Sequence, residues 1–272
     1  INDPGFSTED PNLFNGRAMT YYGRWTYKYE EAAKQGAEAV LIIHETAPAA
    51  YPWQVVETSW AGKQIDLKRE DMGKSRVKVE GWITSAVAQD LFSEANLNLE
   101  ALKQEALNAD FQSVKMAGLT LDTTLNNEVE FSTSHNVAAV KVGNKKPDEY
   151  ILMMAHWDHL GKDESKEGDQ IYNGALDNAT GTAAILTMAK AYANLTPRPK
   201  RSVSFLVVTA EEQGLLGSKY YATHPVIPMD KTVANINMDA MNVLGKTKNV
   251  AVVGMGKSEL EDYLEKAAAK QG

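Results

Sequence analysis

Four short segments in the second half of the chain carry side chains that can bind a metal ion or move a proton. They read Ala155-His156-Trp157-Asp158, Gly174-Ala175-Leu176-Asp177-Asn178, Thr209-Ala210-Glu211-Glu212 and Asn237-Met238-Asp239. Zinc takes imidazole nitrogen and carboxylate oxygen as ligands, and a catalytic zinc site keeps one position for water. Without a metal, clustered carboxylates would repel one another and some would take up protons. The residue types therefore predict a zinc site.

The adjacent acids Glu211 and Glu212 are the most informative pair in these segments. Neighbouring side chains at the end of a strand point in different directions, so one can bind metal while the other stays free. A free carboxylate within reach of an attacking water can act as a general base. The alternative is a pair of surface glutamates at the start of a helix, where the helix dipole favours them. The other three segments favour the catalytic interpretation.

Alternating strand and helix patterns from residue 113 onwards must position these segments. Apolar or alternating runs predict strands over residues 137–142, 151–155, 202–209, 233–238 and 250–253. Helical spacing predicts helices over residues 180–194, 215–222 and 258–270. This alternation predicts an α/β fold with a mostly parallel sheet flanked by helices. In such sheets ligands bind beyond the carboxyl ends of the strands, where His156, Glu211 and Asp239 all fall.

Residues 1–112 form a separate unit in this interpretation. A helix over residues 27–35 stops at Gly36, and an apolar run over residues 39–43 follows as a strand. Another strand over 77–83 and helices over 85–94 and 99–107 complete a smaller α+β domain. His44 is interpreted as a structural or surface residue rather than a ligand, because no other candidate site residues accompany it.

Composition excludes several classes of protein. The net charge of −8 argues against a nucleic-acid partner, since such proteins carry basic faces. The absence of cysteine rules out disulfides, thiolate metal sites and cysteine nucleophiles. No apolar run approaches the roughly 18 residues of a membrane span. The hydrophobic content of 43% fits a globular protein with a sizeable core.

Four segments, AHWDH, NGALDNATGTA, VTAEEQGLLGS and NINMDAMN, resemble the co-catalytic zinc aminopeptidase family in their order and spacing. That family includes bacterial leucyl aminopeptidases, glutamate carboxypeptidase, glutaminyl cyclase and the transferrin receptor ectodomain. The resemblance covers residues 113–272, which it implies form a zinc peptidase domain.

The resemblance also implies a role for each site residue. His156, Asp177 and Asp239 would bind one zinc ion, and Asp177 would bridge to a second ion held by Glu212. Glu211 would be the general base. Asp158 would hold the His156 ring through its other nitrogen, a frequent arrangement at metal-bound histidines. His159 is expected to be a neighbour of the site rather than a ligand.

The segment GRWTYKYEEAAKQGAEAVLIIHE is similar to the helix–strand core of a protease-associated domain, an insertion common in that family. Residues 1–112 are therefore expected to be such a domain. In relatives peptidase sequence precedes the insertion, whereas here nothing precedes Ile1. We expect the chain to be truncated at its N-terminus.

A closing histidine ligand is the one family feature missing from the sequence. Family members complete the second zinc site with a histidine far downstream, but no histidine follows His224 here. We expect truncation at the C-terminus as well. The expectation is that two zinc ions bind in the full-length protein, but that this chain holds at most one well and has little or no activity.

The function implied by the resemblance is a zinc exopeptidase, most simply an aminopeptidase that acts on peptide substrates. A carboxypeptidase or glutaminyl cyclase of the same family is the alternative, together with a catalytically silent receptor-like module. The acidic cluster argues against a silent module, because a retired site has no physical reason to keep it. A periplasmic or secreted location follows from the resemblance alone, and the oligomeric state stays open.

Overall fold

A computed structural model describes residues 21–253, 256 and 258–271 of the 272-residue chain. The described residues form two compact units. One comprises residues 64–68 and 129–249, and the other comprises residues 21–63, 69–128 and the described residues after 249. The assignment of residues 1–112 as a protease-associated domain stays a prediction, and its first 20 residues lie outside the described part.

The unit that contains most of the N-terminal half has short helices around a two-stranded sheet. Its strands are β1 (Ala39–His44) and β2 (Val79–Thr84). Its helices are α1 (Trp25–Lys34), α2 (Thr46–Ala49), α3 (Trp53–Ser59), α4 (Ser85–Glu94) and α5 (Leu99–Glu105), with a 3-10 turn at Tyr21–Gly23. A last helix of the chain follows at Leu260–Gln271.

Parallel pairing of β1 with β2 organises this unit, with Ala39 opposite Val79 and His44 opposite Thr84. The buried Tyr29 of α1 donates its hydroxyl to the Gly81 carbonyl at 2.9 Å, which ties the helix to β2. The Thr84 hydroxyl accepts the Val87 N–H at 3.2 Å and caps α4, as expected for an N-cap threonine.

The second unit contains a four-stranded sheet, a small two-stranded sheet and two helices. Its strands are β3 (Val137–Lys141), β4 (Lys146–His156), the two-residue β5 (Gly161–Lys162) and β6 (Ile171–Tyr172), β7 (Arg201–Val208) and β8 (Thr232–Asn237). In the small sheet β5 pairs with β6. Its helices are α6 (Ala179–Asn194) and α7 (Leu216–Thr223), with a 3-10 turn at Met229–Lys231. We number the helix at Leu260–Gln271 as α8.

The large sheet has the strand order β3-β7-β4-β8, in which β3 is antiparallel and the other three strands are parallel. Side chains alternate between its faces. On one face, Val203 and Phe205 pack with Ile185 of α6. On the other face, Leu206 packs with Tyr221 of α7. Helices thus cover both faces, and the predicted α/β class with a mostly parallel sheet is confirmed.

Two local predictions differ from the structure. Residues 250–253 form no strand, and the side chains of Val250 and Val253 are exposed. An apolar run becomes a strand only when a partner supplies hydrogen bonds, and no described strand pairs with it. The strand predicted over residues 151–155 is longer than expected, because β4 already starts at Lys146, with an irregular register up to Tyr150. Among the described helices, none combines the length and apolar character needed to cross a bilayer.

Candidate metal centre

Strand ends bring the predicted site residues together at one edge of the large sheet. His156 is the last residue of β4, and it pairs with Val208, the last residue of β7. Glu211 and Glu212 follow β7 three and four residues later. The Met238 N–H donates to the Met154 carbonyl at 2.9 Å. The pairing of β8 with β4 therefore continues to the residue directly before Asp239. Parallel strands therefore deliver all these side chains to the same edge.

The His156 ring lies at the centre of the acidic side chains. Only 1% of this residue is exposed. Its Nε2 atom lies 3.1 Å from Asp177 Oδ1, 3.3 Å from Asp239 Oδ1 and 3.8 Å from Glu211 Oε2. Yet His156 Nε2 and Asp177 Oδ1 are both buried without a hydrogen-bond partner. Two carboxylates that face one ring nitrogen without a linking hydrogen bond have the arrangement of ligands around a cation.

The donor set fits zinc. His156, Asp177 and Glu212 each offer one ligand atom, and these three atoms lie within 4.8 Å of one another. One imidazole nitrogen with carboxylate oxygens suits zinc better than calcium or magnesium, which bind through oxygen ligands. The orphaned atoms of His156 and Asp177 would both gain a partner from such an ion. The residues present therefore fit a zinc centre.

Charge and burial shift the protonation of two groups in the cluster. Burial lowers the pKa of His156, but the negative charges of Glu211 and Asp239 and the hydrogen bond to Asp158 outweigh it, and the pKa is raised overall. Burial raises the pKa of Glu211, and the nearby Glu212 and Asp239 charges add to this rise against the opposing effect of His156. The metal-free cluster thus binds protons more tightly than isolated side chains do, and a divalent cation would compete with those protons.

Asp158 contacts both His156 at the end of β4 and the Glu211-Glu212 pair that follows β7. The Nδ1 atom of His156 lies 3.0 Å from the backbone carbonyl of Asp158 and 3.6 Å from its carboxylate. Asp158 was expected to hold this ring, and its closer contact is made by the backbone carbonyl. The carboxylate instead accepts two consecutive backbone N–H groups, from Glu211 at 3.0 Å and from Glu212 at 3.3 Å.

Asn178 links the loop of Asp177 to the end of β8. Its side chain is buried, donates to the Met238 carbonyl at 3.0 Å and accepts the Gly181 N–H at 2.9 Å as the N-cap of α6. The Asp177–Asn178 peptide bond is cis. In the contact between Asn178 and Met238, Asn178 directly follows Asp177 and Met238 directly precedes Asp239. The sequence marked Asn178 only as the neighbour of Asp177 and gave no signal of this link.

Asn136 is a second link that sequence reasoning missed. Its amide accepts the Thr209 N–H at 3.0 Å and donates to the Gly217 carbonyl at 2.8 Å. It therefore fixes both ends of the loop that carries Glu211 and Glu212. The sequence offered only a polar residue directly before a predicted strand, and that is a common pattern.

His159, which was expected to be a neighbour of the site rather than a ligand, contacts one of its carboxylates. Its Nδ1 atom lies 2.7 Å from Glu212 Oε1. The structure thus brings together all six predicted residues, namely His156, Asp158, Asp177, Glu211, Glu212 and Asp239, and adds His159, Asn178 and Asn136 around them.

Comparison with known proteins decides the family. Residues 136–272 match the sequence profile described as Peptidase family M28, which is about half of the chain and contains all six predicted residues. The chain belongs to peptidase family M28. This agrees with the resemblance found in the four segments, since M28 is the co-catalytic zinc peptidase family.

Similar proteins within M28 carry different names. Aminopeptidase NAALADL1 of Mus musculus is 32% identical over 128 residues, which cover 45% of this chain and 16% of that protein. Carboxypeptidase Q of Xenopus laevis is 28% identical over 251 residues, which cover 92% of this chain and 44% of that protein. A solved aminopeptidase from Aneurinibacillus sp. strain AM-1 is 27% identical, with a TM-score of 0.37, and the match covers 80% of this chain and 43% of that one. The chain therefore spans less than half the length of each of these relatives.

Proposed function

We propose that the full-length protein is a zinc exopeptidase of family M28, and that it removes residues from the N-terminus of peptides. The observation that carries the proposal is the buried His156 Nε2, which faces carboxylate oxygens of Asp177 and Asp239 with Glu211 beside them. A buried nitrogen among acids has little structural use, whereas it suits a metal centre that hydrolyses amides.

In this proposal His156, Asp177 and Asp239 hold one zinc ion, and Asp177 and Glu212 hold a second. When bound, the ions polarise the scissile carbonyl and lower the pKa of the attacking water. Within the 272-residue chain three residues serve the first ion and two serve the second, so we expect the second ion to be bound more weakly.

Glu211 is the proposed general base. Burial raises the pKa of Glu211 towards neutral pH. A base accepts and returns a proton most effectively when its pKa lies near the working pH. The Asp158 carboxylate accepts the Glu211 N–H and so fixes the backbone from which the base projects. Glu211 takes the proton of the attacking water and passes it to the amine that leaves.

Glu211→Gln in the full-length protein tests this role. We expect zinc content to stay at the wild-type level, because Glu211 is not a proposed ligand, while turnover falls by about 10²- to 10⁴-fold. Turnover is measured with aminoacyl anilides and zinc content by elemental analysis. The exposed Glu167→Gln serves as the control. Turnover within twofold of wild type in Glu211→Gln would rule out the base.

The direction of cleavage is tested with matched peptides. An aminopeptidase releases the first residue of a free dipeptide and does not cleave its N-acetylated form. The second candidate, a carboxypeptidase, is favoured by the relative named carboxypeptidase Q, whose match covers 92% of this chain. Release of C-terminal residues from N-acetylated peptides, with no cleavage of aminoacyl anilides, would favour that candidate instead. A periplasmic or secreted location is part of the proposal, and cell fractionation tests it.

A further inference from the structure

The contact between His159 and Glu212 has no role in the proposed chemistry. We propose that His159 is a positioning residue, which holds one oxygen of the Glu212 carboxylate so that the other faces the metal. This inference rests on the proposed function, since it takes Glu212 to be a zinc ligand.

The distance between the two groups favours a hydrogen bond over joint coordination. His159 Nδ1 and Glu212 Oε1 are 2.7 Å apart, which is the spacing of a strong hydrogen bond. Two ligands of one tetrahedral zinc ion, each about 2.0–2.1 Å from it, lie roughly 3.3 Å apart. The pair is therefore built for His159 to donate to the carboxylate.

Neighbouring residues fix the His159 ring in this orientation. Gly174 has φ of 61°, and a Cβ atom at that position would lie 2.9 Å from His159 Cβ and 3.0 Å from its Cγ. The loop backbone therefore packs directly on the ring. The Tyr172 ring meets it edge-on, with centroids 6.4 Å apart. Rotation of the imidazole away from Glu212 would have to displace one of these neighbours.

Glu212 is then held at two points. The Asp158 carboxylate accepts its backbone N–H, and His159 donates to its side chain. Only 17% of the Glu212 side chain is exposed, so water cannot readily replace the imidazole donor. A carboxylate with one oxygen fixed loses little rotational freedom when its other oxygen binds a cation. This lowers the cost of coordination and raises zinc affinity.

Two substitutions of His159 separate the donor from the bulk of the ring. His159→Leu fills part of the space but cannot donate. His159→Asn places an amide N–H the same number of bonds from Cα as Nδ1. We expect His159→Leu to weaken zinc binding in the full-length protein by roughly 10- to 100-fold, the usual effect of losing such a partner. We expect His159→Asn to recover most of this affinity.

Zinc affinity is measured by competition with a chromophoric chelator, and circular dichroism in excess chelator shows whether each variant folds. His224→Leu is the matched control, because His224 is exposed and stacks on Tyr220. The cobalt(II) absorption spectrum provides a second readout. We expect wild type and His159→Asn to give the same bands, since the ligand set is unchanged.

Equal zinc affinity in wild type and His159→Leu would overturn the inference. A changed cobalt spectrum or a lower metal count in His159→Asn would also overturn it, because His159 would then be a ligand itself. Failure of the proposed function looks different: wild type and a His156→Ala variant would then show the same absence of zinc binding.

Discussion

At the scale of single residues, Asp158 connects the two acidic segments more directly than its position suggests. Both of its carboxylate oxygens accept backbone N–H groups from the Glu211-Glu212 pair, while its own carbonyl holds the His156 ring. One residue thus contacts both the ring of the proposed ligand His156 and the backbone of the proposed base Glu211. Hydrogen bonds from N–H groups to a charged carboxylate are stronger than neutral ones, so this link is stiff.

Asp158→Asn tests this arrangement. Asparagine keeps one acceptor oxygen but turns an NH₂ group towards a backbone N–H, which leaves that donor unpaired. We expect the free energy of unfolding to fall by about 1–3 kcal/mol and turnover to fall with it. Asp163→Asn, in a loop where the carboxylate accepts from Ser165, is the control. Equal stability of the two variants in urea melts would contradict the link.

At the scale of elements, the strand ends determine which segments meet and the loops determine which way their side chains point. Ala210 and Ala240 adopt left-handed backbone with φ of 51° and 45°. They stand directly before Glu211 and directly after Asp239. A Cβ atom makes this conformation unfavourable, so it persists only because the surrounding hydrogen bonds require it.

The start of α6 packs against the end of β8 through Gly181. A Cβ atom there would lie 2.6 Å from the Met238 carbonyl and would overlap Asn178 Oδ1. We expect Gly181→Ala to lower the free energy of unfolding by about 1–3 kcal/mol despite the better helix propensity of alanine. We also expect weaker zinc binding, because Met238 precedes Asp239.

Thr187→Ala on the same helix is the control for this prediction. Thr187 is exposed, and its substitution should change the unfolding free energy by less than about 0.5 kcal/mol. Chemical denaturation compares the two variants. An unchanged or higher stability of Gly181→Ala would show that α6 and β8 do not pack as closely as described.

At the scale of the whole molecule, stability should depend on metal and pH together. The pKa values of Glu211 and His156 are both raised above their ordinary values of 4.5 and 6.5. The folded, metal-free protein therefore binds these protons more tightly than the unfolded chain. Their contribution to stability is full below the ordinary pKa values and is lost as the pH rises through the raised ones.

We expect the melting temperature in chelator to fall as the pH rises above these ordinary values and the protons leave. The stabilisation by zinc should instead increase as the pH rises, because protons compete with the metal for the same side chains. Zinc in hundredfold excess over its dissociation constant should raise the melting temperature by about 5–10 °C. Thermal melts with zinc and with chelator measure the gap, and a gap that does not grow with pH would contradict the prediction.

Much of the fold followed from the sequence because its signals are local. The helix predicted over residues 85–94 has these bounds in the structure, and helix α6 begins one residue before its predicted start. Residues 250–253 were predicted as a strand but form none, since an apolar run cannot reveal whether a partner strand exists. The sequence also predicted six site residues, which lie close together in the structure; their roles stay a prediction.

The sequence by itself determined which residue types reach the carboxyl edge of the sheet, and in which order. The tertiary structure alone decided that Nδ1 of His156 meets a backbone carbonyl, that Asp158 holds Glu211 and Glu212 through their N–H groups, and that His159 reaches Glu212. These contacts join residues more than 50 positions apart or depend on loop dihedral angles. Local propensity carries no information on either, because both are set by how strands and loops pack.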